Sequence, residues 1–288
     1  VSGQPHCPAP EATPPLTPPS WRCDALEAPA HWQRIDFISD LHLHAGRPRT
    51  FAAWADYMAR TPADAVLILG DLFELWVGDD MATQAFEQSA AKVLQQAGQR
   101  LWLGLMVGNR DFLMGQQLMQ LCRATALDDP FALTAFGQRH LLTHGDAWCL
   151  DDAPYLKFRA MVRQPAWQTA FLQRSLPERL AVAQGIRTES EQRKGGQAMA
   201  EWADVCAAPA AQALQAHGSL SLIHGHTHRP ASEPFAMAGA QRHVLPDWEF
   251  DELPDGQPPR GHVLRLSADG LQRLSLAQAV TGPVTEPR

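Results

Sequence analysis

Five short polar clusters in this chain hold side chains that could do chemistry: Asp40-Leu41-His42, Gly70-Asp71, Gly108-Asn109-Arg110, His144-Gly145-Asp146 and Gly225-His226-Thr227-His228. Together they offer carboxylates, imidazoles and an amide oxygen but no thiolate. That donor set suits Mn²⁺, Fe²⁺ or Zn²⁺ better than a soft metal or a pure Mg²⁺ site. The spacing points to two ions. Alternate residues leaving a strand face the same way, so Asp40 and His42 can reach one ion together, and His226 and His228 repeat that geometry. A single carboxylate at Asp71 can bridge both ions at the roughly 3.5–4 Å separation that two-metal hydrolysis requires. Asn109 and His144 would complete the set around the second ion. Taken singly, each cluster is ordinary turn or cap chemistry. Five in this order, each directly after an apolar run, point to a metal centre.

The apolar runs are the elements that must position these groups. Ile35–Ser39, Ala65–Leu69, Leu101–Val107, His140–Thr143 and Leu220–Ile223 read as strands, and open α/β sheets gather ligands at strand carboxyl ends. Thr50–Arg60 and Gln84–Gln99 read as helices, the second with Phe86, Ala90, Val93, Leu94 and Ala97 on one face. Arg242–Leu245 and His262–Leu266 read as late strands closing a second sheet. From Asp152 to about residue 210 the alternation breaks, and helical apolar spacing (Tyr155, Phe158, Val162) predicts an inserted lid. Residues 155–194 carry eight basic side chains against three acids, although the whole chain has a net charge of −7. We therefore expect a helical lid with a basic outer face that includes Arg163, Arg174 and Arg179.

Composition bounds the rest. A net charge of −7 argues against a nucleic-acid partner. Five scattered cysteines without a C-x-x-C pair argue against a disulfide framework or zinc ribbon and fit a reducing cytosol. No run approaches the ~20 apolar residues of a membrane span, and no secretory signal is visible, so a soluble or peripheral protein is expected. Residues 1–32, with eight prolines, read as a disordered lead. The expected organisation is lead 1–32, core 33–151 and 211–277, helical lid 152–210 and tail 278–288.

The five clusters resemble the signature of the calcineurin-like metallophosphoesterases. The longer strings FISDLHL, LGDLFELWVGDD, GNRDFL, HGDAWCLDDAPYLKFR and HGHTHRP are similar to the UDP-2,3-diacylglucosamine pyrophosphatase branch, with LPDW at 245–248 a variant of its near-terminal Gly-Asp-Trp. The likeness runs from about residue 34 to 275. It implies an α/β, layered metallophosphoesterase β-sandwich flanked by helices, and hydrolysis of UDP-2,3-diacylglucosamine to UMP and 2,3-diacylglucosamine 1-phosphate at the cytoplasmic face of the inner membrane. It further implies two Mn²⁺, or other divalent ions, one on Asp40, His42, Asp71 and His228 and the other on Asp71, Asn109, His144 and His226. Asn109, Arg110 and His226 would contact substrate and serve catalysis, with Asp152, Tyr155, Ser190, Lys194 and Gln197 further out. Gln197 stands where many relatives carry Lys, and Lys194 at a variable polar position. The chemistry expected is in-line displacement by water activated between the cations, with Arg110 holding phosphate oxygens. Expected partners are the nucleotide lipid and an anionic lipid surface, with no obligate protein partner. Another phosphoesterase of the family, a phosphodiesterase or nuclease, and a non-catalytic metal-binding scaffold are the alternative readings.

Overall fold

The computed structural model describes residues 21–194, 203–253 and 257–281. The strands are β1 (Arg22–Glu27), β2 (Ile35–Ile38), β3 (Ala65–Leu69), β4 (Trp102–Met106), β5 (Thr125–Ala135), β6 (Gln138–Thr143), β7 (Ser221–His224), β8 (Ala231–Pro234), β9 (Gln241–Val244), β10 (His262–Ser267) and β11 (Gly270–Ser275). The helices are α1 (Pro48–Arg60), α2 (Ala85–Ala97), α3 (Gln116–Cys122), α4 (Ala153–Val162), α5 (Pro165–Leu172), α6 (Leu176–Lys194), α7 (Ala207–His217) and α8 (Leu276–Val280).

Hydrogen bonding joins the strands in the order β11-β10-β2-β3-β4-β5-β6-β7-β9-β8, with β1 added beside β5. β2, β3 and β4 run parallel and, apart from Asp36, which is paired with Arg265, are without charge along their length because both faces are buried. The period of two sorts their residues. Ile38, Val66, Ile68, Leu103 and Leu105 pack with Trp54, Tyr57 and Met58 of α1 and Ala90 and Leu94 of α2. Phe37, Leu67, Leu69 and Met106 point the other way and share a core with Leu142, Ile223 and Leu245 from the far half of the sheet. The sheet therefore curls until its halves face each other as the layers of a sandwich.

β5 makes the turn. Its residues Thr125–Leu127 pair with β4 and Phe131–Ala135 pair antiparallel with β6. Between them lies Pro130, which has no N–H to give to a ladder. The curl brings the carboxyl ends of β2, β3 and β4 to those of β6 and β7, so all five polar clusters meet.

Several expectations are corrected here. Arg242–Leu245 and His262–Leu266 do not form a separate sheet, since β9 pairs with β7 and β10 with β2 in one continuous ladder. The lead expected to be disordered to residue 32 contains β1, which lies past the proline-dense stretch and packs Cys23 and Leu26 on the inner core. Residues 1–20 lie outside the described residues. The lid range 152–210 stops inside α7, which belongs with the core because Ala210 and Leu214 pack against Leu141 and Leu222. The tail from 278 begins inside α8, whose Ala279 is buried. Cys23 and Cys122 are free thiols.

Candidate metal centre

The loops that leave the strands have a common local form. Asp40, His42, Asp71, His226 and His228 all adopt positive φ, between 49° and 64°. For side chains with a Cβ that conformation costs of order 1–3 kcal/mol and persists where surrounding structure enforces it, commonly at functional sites. The flanking glycines are part of the same design. A Cβ on Gly108 would collide with the amide and carboxylate of Asp71, and one on Gly225 with the Asp40 carboxylate and the Ser39 hydroxyl. Glycine is thus required where one ligand loop lies against the next.

Distances divide the seven candidate ligands into two groups about Asp71. On one side, Asp40 Oδ1 is 3.3 Å from His228 Nε2 and 4.0 Å from His42 Nε2. His42 Nε2 lies 3.3 Å from His228 Nε2 and 3.9 Å from Asp71 Oδ2. On the other side, Asp71 Oδ1 is 3.7 Å from His144 Nε2. Asn109 Oδ1 is 3.0 Å from His144 Nε2 and 2.9 Å from His226 Nδ1. Asp71 thus turns one oxygen to each group.

The orientation of these groups fits cations. His144 Nδ1 lies 2.9 Å from the Leu69 carbonyl, and His42 Nδ1 lies 2.9 Å from Glu74 Oε2. With Nδ1 of each ring turned to an oxygen, Nε2 faces the site, the arrangement that ligating histidines require. Asp40 Oδ1 is buried with no hydrogen-bond partner, while Oδ2 accepts from the Ser39 hydroxyl and from the His226 amide at 2.9 Å. An unpartnered buried carboxylate oxygen facing two Nε2 atoms is a costly arrangement unless a positive ion satisfies it. Carboxyl and imidazole atoms of Asp40, His42 and His228, and of Asp40, Asp71 and His144, converge within 4.8 Å.

Burial opposes ionisation of Asp40, but His228, His144 and His42 outweigh it and hold the carboxyl well below its usual range. Burial and the neighbouring His144 push His226 down to about 3, so its ring is neutral near pH 7. The same competition, won by His42, Arg110 and Arg187, holds Glu74 down at about 2.

The other sequence-derived candidates are placed as follows. Arg110 donates its backbone N–H to Asp71 Oδ1 at 2.8 Å, and its half-exposed guanidinium lies 3.3 Å from Glu74 Oε1 at the mouth of the centre. Asp152 caps α4 by accepting from the Tyr155 amide. The Tyr155 ring stacks on His226 with centroids 6.2 Å apart, and its hydroxyl donates to Asp146. Ser190 and Lys194 are on α6, but their side chains, like all of Gln197, lie outside the described residues.

Three acids with structural parts in the site were not assigned by the sequence reading. Asp111 accepts from the amides of Leu72, Phe73 and Gly108, fixing the loops after β3 and β4. Asp146 is fully buried and binds Tyr155 and, at 2.8 Å, Arg159 Nε. Glu74 is buried among His42, Arg110 and Arg187. Acids interrupting apolar runs, as in Leu72-Phe73-Glu74-Leu75-Trp76, are the signal that could have found them. One expectation is corrected: among the described residues, Arg163 and Arg179 turn to the core and not to an outer face. Arg163 Nη2 donates to the Gly108 carbonyl at 2.8 Å, and buried Arg179 binds the Val77 carbonyl and Asp80. Arg174 and Lys157 are exposed.

The calcineurin-like phosphoesterase family model matches residues 33–230. A protein named UDP-2,3-diacylglucosamine hydrolase in Bordetella pertussis is 42% identical over 83% of this chain and 94% of its own length. Proteins of the same name in Chromohalobacter salexigens and Chromobacterium violaceum are each 42% identical, covering 82% and 84% of this chain and 94% and 98% of their own.

Proposed function

The chain belongs to the calcineurin-like phosphoesterase family and is a hydrolase acting on a diphosphate, and we propose that its substrate is UDP-2,3-diacylglucosamine, cleaved to UMP and 2,3-diacylglucosamine 1-phosphate. The observation that carries this reading is the Asp71 carboxylate with one oxygen turned to each of two ligand groups. Asp40, His42, Asp71 and His228 would hold one divalent ion, Mn²⁺ in our reading, and Asp71, Asn109, His144 and His226 the other. When bound, the ions would supply an activated water and neutralise charge on the phosphoryl oxygens.

The protein's own groups do the rest. The Leu69 carbonyl and Glu74 hold the rings of His144 and His42 in position. Arg110, at the mouth of the centre, binds phosphate oxygens with a planar guanidinium suited to two of them at once. Tyr155 covers the His226 ring and limits access of bulk water on that side. His226, with a neutral ring, is suited to ligation and to contact with substrate more than to delivering a proton.

The helices α4–α6 form the lid over this centre. Among the described residues no helix is long and apolar enough to cross a membrane. Exposed Met161 and Leu172 on the lid support approach to a lipid surface, which we place at the cytoplasmic face of the inner membrane, with Lys157 and Arg174 as the exposed cations.

The test compares UDP-2,3-diacylglucosamine, its deacylated form and a simple phosphodiester after chelation and return of Mn²⁺. The diacylated substrate should be turned over far the fastest, only with metal, and His144→Ala should lose most of that activity while remaining folded. Equal turnover of the deacylated compound, or full activity of His144→Ala without metal, would overturn the reading.

A further inference from the structure

Glu74 has a position that its burial alone does not explain. Its carboxylate takes three cationic or N–H partners from three parts of the molecule. His42 Nδ1, from the loop after β2, is 2.9 Å from Oε2. Arg110 Nη1, from the loop after β4, is 3.3 Å from Oε1. Arg187 Nη1, from lid helix α6, is 2.9 Å from the same Oε1. The backbone is fixed as well, because the Glu74 amide donates to the Leu43 carbonyl at 3.2 Å and Leu43 bridges Phe73. The carboxylate is therefore held at a set point between a candidate metal ligand and the lid.

We propose that Glu74 is a positioning residue that couples occupancy of the Asp40/His42/His228 site to the seating of lid helix α6. The inference rests on the two-ion reading of the centre. A carboxylate 2.9 Å from Nδ1 holds the ring so that Nε2 is offered to the ion. The same carboxylate is what Arg187 leans on. An ion that draws His42 into one orientation also fixes the Glu74 oxygens, and the lid contact gains by it. Linkage makes the effect reciprocal: a seated α6 favours the ion to the same degree. The three partners on two oxygens add a functional point. Arg110 can turn from Glu74 to a substrate phosphate without leaving a buried carboxylate unpaired, since His42 and Arg187 remain.

Mn²⁺ is titrated into the metal-depleted full chain by calorimetry, and at each point brief trypsin digestion reports cleavage after Arg187 by mass spectrometry. The wild-type chain should bind two ions, with cleavage at Arg187 slowing several-fold as the sites fill. Glu74→Gln should weaken one of the two ions about 10–100-fold, and cleavage at Arg187 should no longer respond to Mn²⁺. Wild-type affinity for both ions in Glu74→Gln, or protection that still follows Mn²⁺, overturns the proposal. Should Glu74→Gln lose its cooperative melt, Glu74→Asp, which keeps the charge but withdraws it by one methylene, should weaken the same ion. Unchanged binding and protection in that variant equally refute the proposal. A wild-type chain that binds no ion refutes the two-ion reading itself, a distinguishable result.

Discussion

At the scale of single residues, the centre is a set of strained ligands kept in place by residues with no side chain. Gly108 is the sharpest case, because an added methyl would overlap both the amide and the carboxylate of Asp71. Gly108→Ala should therefore push the bridging carboxylate out of line, destabilise the protein by about 1–3 kcal/mol and reduce bound Mn²⁺ from two to about one ion per chain. Calorimetry and metal analysis after dialysis check it, and a wild-type melting temperature with full metal content would refute it. The seven candidate ligands were legible in the sequence because each follows an apolar run and most adjoin a glycine or another ligand. Glu74, Asp111 and Asp146 were not assigned. Their importance lies in what they accept from, the His42 ring, three loop amides and the α4 side chains, and none of those partners is adjacent in sequence.

At the scale of elements, the strands bearing chemistry were legible and the strands bearing only architecture were less so. β2, β3, β4, β6 and β7 stand out as apolar runs with polar ends. β5 was missed because Asp128, Asp129 and Pro130 interrupt its apolar residues where it passes between the two halves of the sheet. The lid was legible as helical, but the direction of its charges was not, since composition does not say which face an arginine takes. Arg163 and Arg179 hold α4 and α6 to the core, and Arg179 satisfies the buried Val77 carbonyl. Arg179→Gln removes the charged donor and should raise the free energy of α6 relative to the core by about 1–3 kcal/mol. Amide exchange across α6 should then quicken roughly 5- to 150-fold while β2, β3 and β4 exchange as before. Binding to anionic vesicles should be unaffected, because this side chain is not available to lipid. Unaltered exchange in α6, or lost vesicle binding, would show that Arg179 faces outward.

At the scale of the whole molecule, the metal centre exists because one long sheet curls, and the curl depends on β5 being paired along both of its halves. β1 supplies part of that pairing. Arg22 and Cys23 align with Ala126 and Leu127 in the half beside β4, and Ala25, Leu26 and Glu27 align with Ala132, Leu133 and Thr134 in the half beside β6. The Arg22 guanidinium adds a bond to the Leu127 carbonyl, and the Ala28 amide one to Thr134. No residue of β1 is among the groups that form the candidate centre. Deleting residues 1–28 should therefore act on stability and not on chemistry. It uncovers β5 backbone groups and the Cys23 and Leu26 packing, a net loss of about 2–4 kcal/mol after water replaces part of the bonding. For a protein of this size that is a fall in melting temperature of about 5–15 °C. An opened strand edge should also promote concentration-dependent association, since unpaired N–H and C=O groups recruit another strand. Below the lowered transition the truncated chain should retain two Mn²⁺ sites and the turnover per folded molecule of the full chain. Loss of metal binding at temperatures where the fold persists would mean that the influence of β1 reaches the centre through β5. An unchanged melting temperature would mean that the curl is secured without β1.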